Sequence, residues 1–281
     1  MKYGIAFPNG GSCDPHTLAE FAALAEEHGW EGVFLEDYIV WQGHQAVPTY
    51  DPWIVLAAMA MQTTTIRLGT SITPLPRRRP WKVARETVTI DHLSNGRLIL
   101  GVGLGDASID ISFTHFGEVT DVPQRAKMLD ESLEILIDAW RGEPFVHQGQ
   151  YYHIDEVALL PKPIQSPRIP IWVGGAYPHR GPMKRAARYD GACLYKTSGD
   201  DFAPDEVRTL KSFIDARRMS SIPYDIALGG RQRAEDWEKD RALIRSLAEA
   251  GMTWWVEYVP PQIGGLNEMR ECITRGPLRI D

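Results

Sequence analysis

Along the chain, short apolar runs rich in β-branched and aromatic residues alternate with longer stretches whose apolar positions recur every three to four residues. The β-type runs fall at 3–8, 32–37, 66–74, 98–105, 169–175, 191–196, 225–229 and 253–259. The stretches between them carry the helical period. The first places Leu18, Phe21, Ala22 and Ala25 on one stripe, with Asp14 as N-cap, Pro15 at the first helical position and Gly29 as the stop. The fourth aligns Leu129, Leu133, Leu136 and Trp140, and the last aligns Leu266, Met269 and Ile273. Strand–helix alternation implies a parallel sheet, and eight units predict its closure into an α/β (β/α)8 barrel, with an open doubly wound sheet as the alternative. One segment breaks the rhythm. Residues 145–154 alternate around Gly149 and predict a small hairpin insertion after the fourth helix, outside the barrel wall. The glycines and prolines punctuate turns and mark no linker, so 1–281 reads as a single domain.

In a barrel of this kind chemistry gathers at the C-terminal ends of the strands. Those ends are Phe7-Pro8-Asn9, Glu36-Asp37-Tyr38, Thr70-Ser71-Ile72-Thr73, Gly103-Leu104-Gly105-Asp106, Gly174-Gly175-Ala176, Tyr195-Lys196, Gly229-Gly230 and Glu257-Tyr258. Within 98–105, Leu98, Leu100, Val102 and Leu104 share one face, and Gly101, Gly103 and Gly105 the other. The leucines should meet the helices and the glycines the barrel interior. Their bareness either leaves room for a flat ligand or relieves crowding at a bend. A dinucleotide loop is not read here, since Asp106 stands where its third glycine would be. Gly174-Gly175, with a helix opening near Pro182, reads either as a phosphate cradle or as a plain turn.

Composition narrows the partners. The 281 residues carry a net charge of −7, which disfavours nucleic acid. No apolar stretch is long enough to span a bilayer, and no signal peptide is read before the first strand. Cys13, Cys193 and Cys272 form no CxxC and no metal spacing. A reducing, cytoplasmic setting is the expectation. The eight histidines suggest no metal set, and no GxSxG or P-loop is present. The basic run Arg77-Arg78-Arg79 reads first as a solvated loop and second as a clamp for an anionic ligand.

Several stretches, in order, resemble the luciferase-like family of flavin-type oxidoreductases. They are Arg67-Leu68-Gly69-Thr70-Ser71-Ile72-Thr73-Pro74-Leu75-Pro76, Asp91-His92-Leu93-Ser94-Asn95-Gly96-Arg97-Leu98-Ile99-Leu100-Gly101-Val102-Gly103, and Arg125-Ala126 with Leu129-Asp130-Glu131-Ser132-Leu133 and Trp140. Pro167-Arg168-Ile169-Pro170-Ile171-Trp172-Val173-Gly174-Gly175 and Ala186-Ala187-Arg188-Tyr189-Asp190-Gly191 complete the set, which covers roughly residues 1 to 200. The resemblance implies the barrel, a homodimer, and FMN or the deazaflavin coenzyme F-420 near the strand ends. It places the tricycle on a third-strand bulge made by a cis peptide at Ser71-Ile72. It places the phosphate near Gly103, Leu104, Gly105 and Asp106 and near Gly174, Gly175 and Ala176, with Phe7 among the cofactor contacts.

Many family members carry His after the acidic residue that ends the second strand. Here Tyr38 follows Asp37, and a phenol donates a hydrogen bond at neutral pH rather than abstracting a proton. Light emission is therefore not carried over. Glu36 or Asp37 remains as acid or base, unless either is paired with an arginine. The resemblance implies a monooxygenase using reduced FMN and oxygen on a small organic substrate, with a separate flavin reductase as supplier. The alternative is a coenzyme F-420-dependent hydride-transfer enzyme. From other classes come a metal-dependent barrel lyase or isomerase, built on Glu36, Asp37 and Glu257, and a non-catalytic flavin-binding protein.

Overall fold

A computed structural model describes residues 1–260 and 265–280. Strands β1 (Lys2–Phe7), β2 (Gly32–Leu35), β3 (Arg67–Thr70), β4 (Thr73–Pro74) and β5 (Leu98–Gly103) open the sheet. After an antiparallel hairpin of β6 (Phe145–Gln148) and β7 (His153–Val157), it continues with β8 (Ile171–Tyr177), β9 (Gly191–Lys196), β10 (Asp225–Arg231) and β11 (Trp254–Tyr258). The parallel order β3-β2-β1-β11-β10-β9-β8-β5 closes through a β3–β5 pairing, with β4 continuing the β3 stave beside β5. The expected barrel is therefore the fold, with eight staves among the described residues.

The helices are α1 (Pro15–Glu27), α2 (Pro52–Gln62), α3 (Pro80–Leu93), α4 (Ser112–His115), α5 (Val122–Arg141), α6 (Arg180–Ala186), α7 (Pro204–Asp215), α8 (Trp237–Ala250) and α9 (Leu266–Thr274). Asp14 caps α1 as its sequence requires, accepting from the Thr17 N–H at 2.8 Å. Leu129, Leu133, Leu136 and Trp140 on α5 are all buried against the barrel. The hairpin follows this long helix and is fastened to it by Glu131, which accepts from His147 Nε2 at 3.0 Å and from the backbone N–H groups of Tyr151 and Tyr152.

Period-two alternation divides every stave into two faces. Outward residues such as Ile5, Leu35, Leu100, Val173 and Leu228 join the helices in the larger core. Inward residues Ala6, Phe34, Ile99, Trp172, Ala227, Trp254 and Val256 form a separate cluster on the barrel axis. Its centre is aromatic. Phe34 and Trp172 stack with centroids 5.3 Å apart, and Trp254 meets each edge-on at 5.9 and 5.3 Å. Glycines on neighbouring staves give these rings their room. A Cβ on Gly191 would lie 2.4 Å from the Trp172 ring, and one on Gly32 would lie 2.9 Å from Trp254.

Two sequence expectations shift. The run 66–74 is not one strand, because the chain leaves the sheet between Thr70 and Thr73. The fifth stave starts at Ile171, two residues later than the apolar run, since Pro170 has no N–H to give the ladder and offers only its carbonyl, to Leu100 N–H.

Truncating the axial plug tests this architecture. Trp172→Ala removes a ring packed on two others and should cost ~3–5 kcal/mol in urea unfolding, because glycine-lined staves have no side chains with which to refill the void. A loss below about 1 kcal/mol would show that the ring is not part of the core.

Candidate active site at the barrel mouth

The end of β2 sets two adjacent carboxylates on opposite faces. Glu36 continues the inward parity of Gly32 and Phe34, so its side chain enters the barrel mouth. Trp41, in a helical turn just beyond (Trp41–Gly43), donates its indole N–H to Glu36 Oε2 at 2.8 Å. Tyr258, inward at the end of β11, stands beside the same carboxyl. Its buried hydroxyl has no well-formed hydrogen bond among the described residues. No cation pairs with Glu36 among the described residues. Burial pushes its carboxyl up from the ordinary 4.5 to about 7, against the opposing pull of the Trp41 and Tyr258 donors. Burial, and then the negative charges of Glu36, Asp110 and Asp106, push the Tyr38 phenol above its usual range. Tyr258 is raised by burial and by Glu36. Both phenols therefore remain protonated donors around a carboxyl that can change its charge near neutrality.

Asp37 turns the other way and is buried. Arg78 donates to its Oδ1 at 2.7 Å and Arg77 at 3.1 Å. Arg77 also binds the Asp37 carbonyl, the Asp110 carboxylate and, at 3.1 Å, Ser112 Oγ. Asp37 thus anchors the loop after β4 through its Oδ1, while its Oδ2 is buried without a hydrogen bond among the described residues. The solvated-loop reading of Arg77-Arg78-Arg79 is corrected for two of the three: the Arg77 and Arg78 side chains are 1% and 18% exposed, whereas Arg79 is exposed as expected. Charge pairing between loops distant in sequence, invisible to a local reading, decided both outcomes. Asn9, also buried, fixes the segment around Tyr38 by donating to the Tyr38 and Tyr50 carbonyls at 2.7 and 2.9 Å.

The third-stave bulge has the expected cis peptide between Ser71 and Ile72. Ser71 N–H donates to Leu35 O at 2.8 Å, and Thr70 Oγ1 donates to Gly101 O at 2.9 Å. The Ile72 side chain points at the barrel axis. A Cβ on Gly103 would lie 2.6 Å from it, and one on Gly174 would lie 2.8 Å away. The glycine face of β5 does look inward, but it receives Ile72 rather than leaving a slot for a flat ligand. Likewise the missing Cβ of Gly175 makes room for Pro182, whose own Cβ would be 2.6 Å away. The steric argument for a phosphate at Gly174-Gly175 is therefore replaced by internal packing, and a ligand must lie above Ile72, toward exposed Ser71 and half-buried Gly175 and Ala176.

On the neighbouring stave, Arg125 of α5 donates to the Leu104 and Gly105 carbonyls at 3.1 and 2.9 Å, and Asp106 holds Ser108 N–H at 2.9 Å. Asp106 itself stays exposed beside the mouth. Phe7 is corrected as a cofactor contact. It has outward parity, is fully buried, and lies 6.0 Å from Phe21 of α1. Glu257 is outward too, paired with Arg233 at 2.6 Å and Arg275 at 3.6 Å. The carboxylates of the metal-lyase alternative therefore diverge, and of the three only Glu36 enters the mouth. Trp41 lies beyond the strand end, where no local pattern in the sequence ties it to Glu36. The parity step from Phe34 to Glu36 was the signal for the carboxyl it serves.

The closed parallel barrel carries a bulged third stave and, at its mouth, the inward carboxyl of Glu36. The luciferase-like monooxygenase family matches residues 1–250, and the chain belongs to it. The chain is 33% identical to an "F420-dependent glucose-6-phosphate dehydrogenase" of Microbacterium testaceum over 169 residues, 58% of this chain and 48% of that protein. It is 31% identical to a protein of the same name from Gordonia bronchialis over 246 residues, 86% of this chain and 65% of the relative. The chain thus spans about half to two thirds of the length of these relatives. A solved F420-dependent secondary alcohol dehydrogenase, in complex with an F420-acetone adduct, superposes with a TM-score of 0.76 at 19% identity, covering 98% of this chain and 99% of that one. It shares the fold. Among the described residues no helix is long and apolar enough to cross a membrane.

The carboxyl of Glu36 leads to a stability test. Its folded value of about 7 lies above the ordinary 4.5, so between those values the folded state holds a proton that the unfolded chain has released. Stability should be full below about 4.5, fall as pH rises, and level off above about 7. Glu36→Gln should abolish that fall and be the more stable protein at pH 8, by an amount on the order of 3 kcal/mol at most. Parallel urea-stability curves for the two proteins across this range would refute the buried, unpaired carboxyl.

Proposed function

We propose that the protein is a coenzyme F-420-dependent dehydrogenase that takes hydride from a hydroxyl-bearing carbon of a small molecule. The observation that carries this reading is Glu36: an inward carboxyl without a cationic partner, poised near pH 7, at the place where a substrate would meet the cofactor. The bound deazaflavin supplies a hydride acceptor that is sluggish with oxygen. Oxidation of an alcohol leaves the hydroxyl proton to be removed as the C–H hydride departs, and Glu36 in its charged form takes that proton. Trp41 holds the carboxylate by its Oε2, and the protonated phenols of Tyr38 and Tyr258 offer donors to the substrate oxygen. In the reverse direction the neutral carboxyl returns the proton to the alkoxide.

The mouth fits such a cofactor. Ile72 closes the axis below, the Ser71–Ile72 backbone offers a ledge, and the hydroxyl of Tyr258 is buried without a good partner. Ser71 and Ile72 would carry the tricycle, and Gly103 to Asp106 with Gly175 and Ala176 would border its phosphate. Relatives bearing the F420-dependent name, at 31–33% identity, support the deazaflavin over FMN. The FMN-and-oxygen reading, placed first from the sequence, leaned on a solvated Arg77-Arg78-Arg79, and Arg77 and Arg78 are instead held in ion pairs.

The test is a titration of the purified protein with oxidised coenzyme F-420 and, separately, with FMN, read by cofactor fluorescence. It is followed by loss of the F-420 absorbance on addition of glucose 6-phosphate or propan-2-ol. Binding of F-420 with bleaching by one of these alcohols is expected. The rate should rise with pH through an apparent value near 7, and Glu36→Gln should lower it by ~100-fold or more and flatten the profile. FMN binding with oxygen consumption, and no F-420 binding, would overturn the proposal.

A further inference from the structure

Strand parity decides which side chains surround the Glu36 carboxyl. The inward residue of β1 at this level is Ala6, in register with Phe34 on one side and Tyr258 on the other. Its methyl group leaves Glu36 and Tyr258 free to meet across the first stave. Beyond β11, the inward end of β10 is Gly229, beside Val256. The Tyr38 phenol feels the Glu36 charge, and Trp41 donates to the carboxyl. The wall of this half of the mouth is therefore neutral except for Glu36 itself.

Cations do stand at the neighbouring strand ends, but their charges are already matched. Lys196 ends β9 on the outward parity of Ala192 and Leu194, and pairs with Glu206 of α7 at 3.0 Å. Arg231 ends β10 and lies 5.3 Å from the ring centroid of Trp255, on the outer side of β11. It binds Asp201 and Asp240 at 2.8 Å each. Arg233 is closed on Glu257, and Arg77 and Arg78 on Asp37. Arg79, without an acidic partner among the described residues, stands beyond these pairs beside Trp81. The sequence at 261–264, outside the described residues, adds no lysine or arginine.

A phosphate or carboxylate carried close to the reacting carbon would thus lie beside Glu36 with no counter-charge. Like charges disfavour each other's ionised forms. Such a substrate would bind poorly to charged Glu36, and once bound would hold the carboxyl neutral, when the reaction needs it charged. An uncharged alcohol meets neither obstacle, and its oxygen can take the donors of Tyr38 and Tyr258.

We propose that the mouth selects uncharged alcohols and rejects those with a phosphate or carboxylate near the reacting carbon. This rests on the dehydrogenase reading and narrows its substrate class. The same carboxyl that takes the proton sets the charge of what it accepts, an unpaired like charge being the excluding element.

The experiment follows bleaching of F-420 in the loaded protein by propan-2-ol, by lactate, in which a carboxylate replaces one methyl group, and by glucose 6-phosphate. The kcat/KM for propan-2-ol should exceed the other two by roughly tenfold or more. Lactate is then titrated as an inhibitor of propan-2-ol oxidation from about pH 5.5 to about 8.5, a range over which its own carboxylate stays charged. Its inhibition constant should rise roughly tenfold as Glu36 ionises, through about 7, while the KM of propan-2-ol stays level. Glu36→Gln, on its residual rate, should make the lactate constant indifferent to pH. Rejection by shape alone would leave that constant flat in the native protein, and this result would overturn the proposal. A higher kcat/KM for lactate or glucose 6-phosphate than for propan-2-ol would also overturn it, leaving the dehydrogenase reading intact. No bleaching by any of the three would overturn that reading and this inference with it.

Discussion

The position of the site depends on one side chain filling the barrel axis. Ile72 leaves the third stave at the bulge and occupies the space that Gly103 and Gly174 leave vacant. Beneath it, Phe34, Trp172 and Trp254 complete a solid column. A packed interior tolerates few voids, so in the proposed reading a ligand would lie outside this column, above Ile72. The glycines of β5 and β8 serve that packing first, and the depth of the mouth follows from it.

Above the column, the chemistry is divided by strand parity. Glu36 and Asp37 are adjacent in sequence and chemically alike, yet one faces the axis and the other the loops. Asp37 meets Arg77 and Arg78 and spends its charge in holding the rim. Among the described residues Glu36 has no cationic partner; it accepts from Trp41 and stands beside Tyr258, and burial without a counter-charge brings it to about 7. Burial without a counter-charge raises a carboxyl, and Glu36 is the one so placed. The replacement of a family histidine by Tyr38 then has a clear consequence. In the proposed reaction, proton transfer would fall to the carboxyl of Glu36, and the phenol would remain a donor.

The arginine run links the two regions. Arg77 and Arg78 pair with Asp37 on one side and line a recess beside the start of α5 on the other. Arg79, left over from the internal pairing, is the one turned to solvent beside Trp81.

Much of this was legible in the sequence. Alternating periods gave the barrel, its helix caps and the hairpin, because local backbone geometry and amphipathic burial are encoded within a few neighbours of each residue. The ordered family stretches located the bulge at Ser71-Ile72, and parity along β5 correctly turned its glycines inward. Tertiary structure decided what those features are for. Phe7 faces α1 because its stave begins on the opposite parity from the one a cofactor contact requires. The inward glycines hold Ile72, a residue some thirty positions earlier on a neighbouring stave. Asp37, Arg77, Asp110 and Ser112 find one another across loops, and Trp41 and Tyr258 reach Glu36 from opposite ends of the chain. Charge state and accessible space are properties of such long-range neighbours. The sequence names the groups, but their pairing exists only once the barrel has closed.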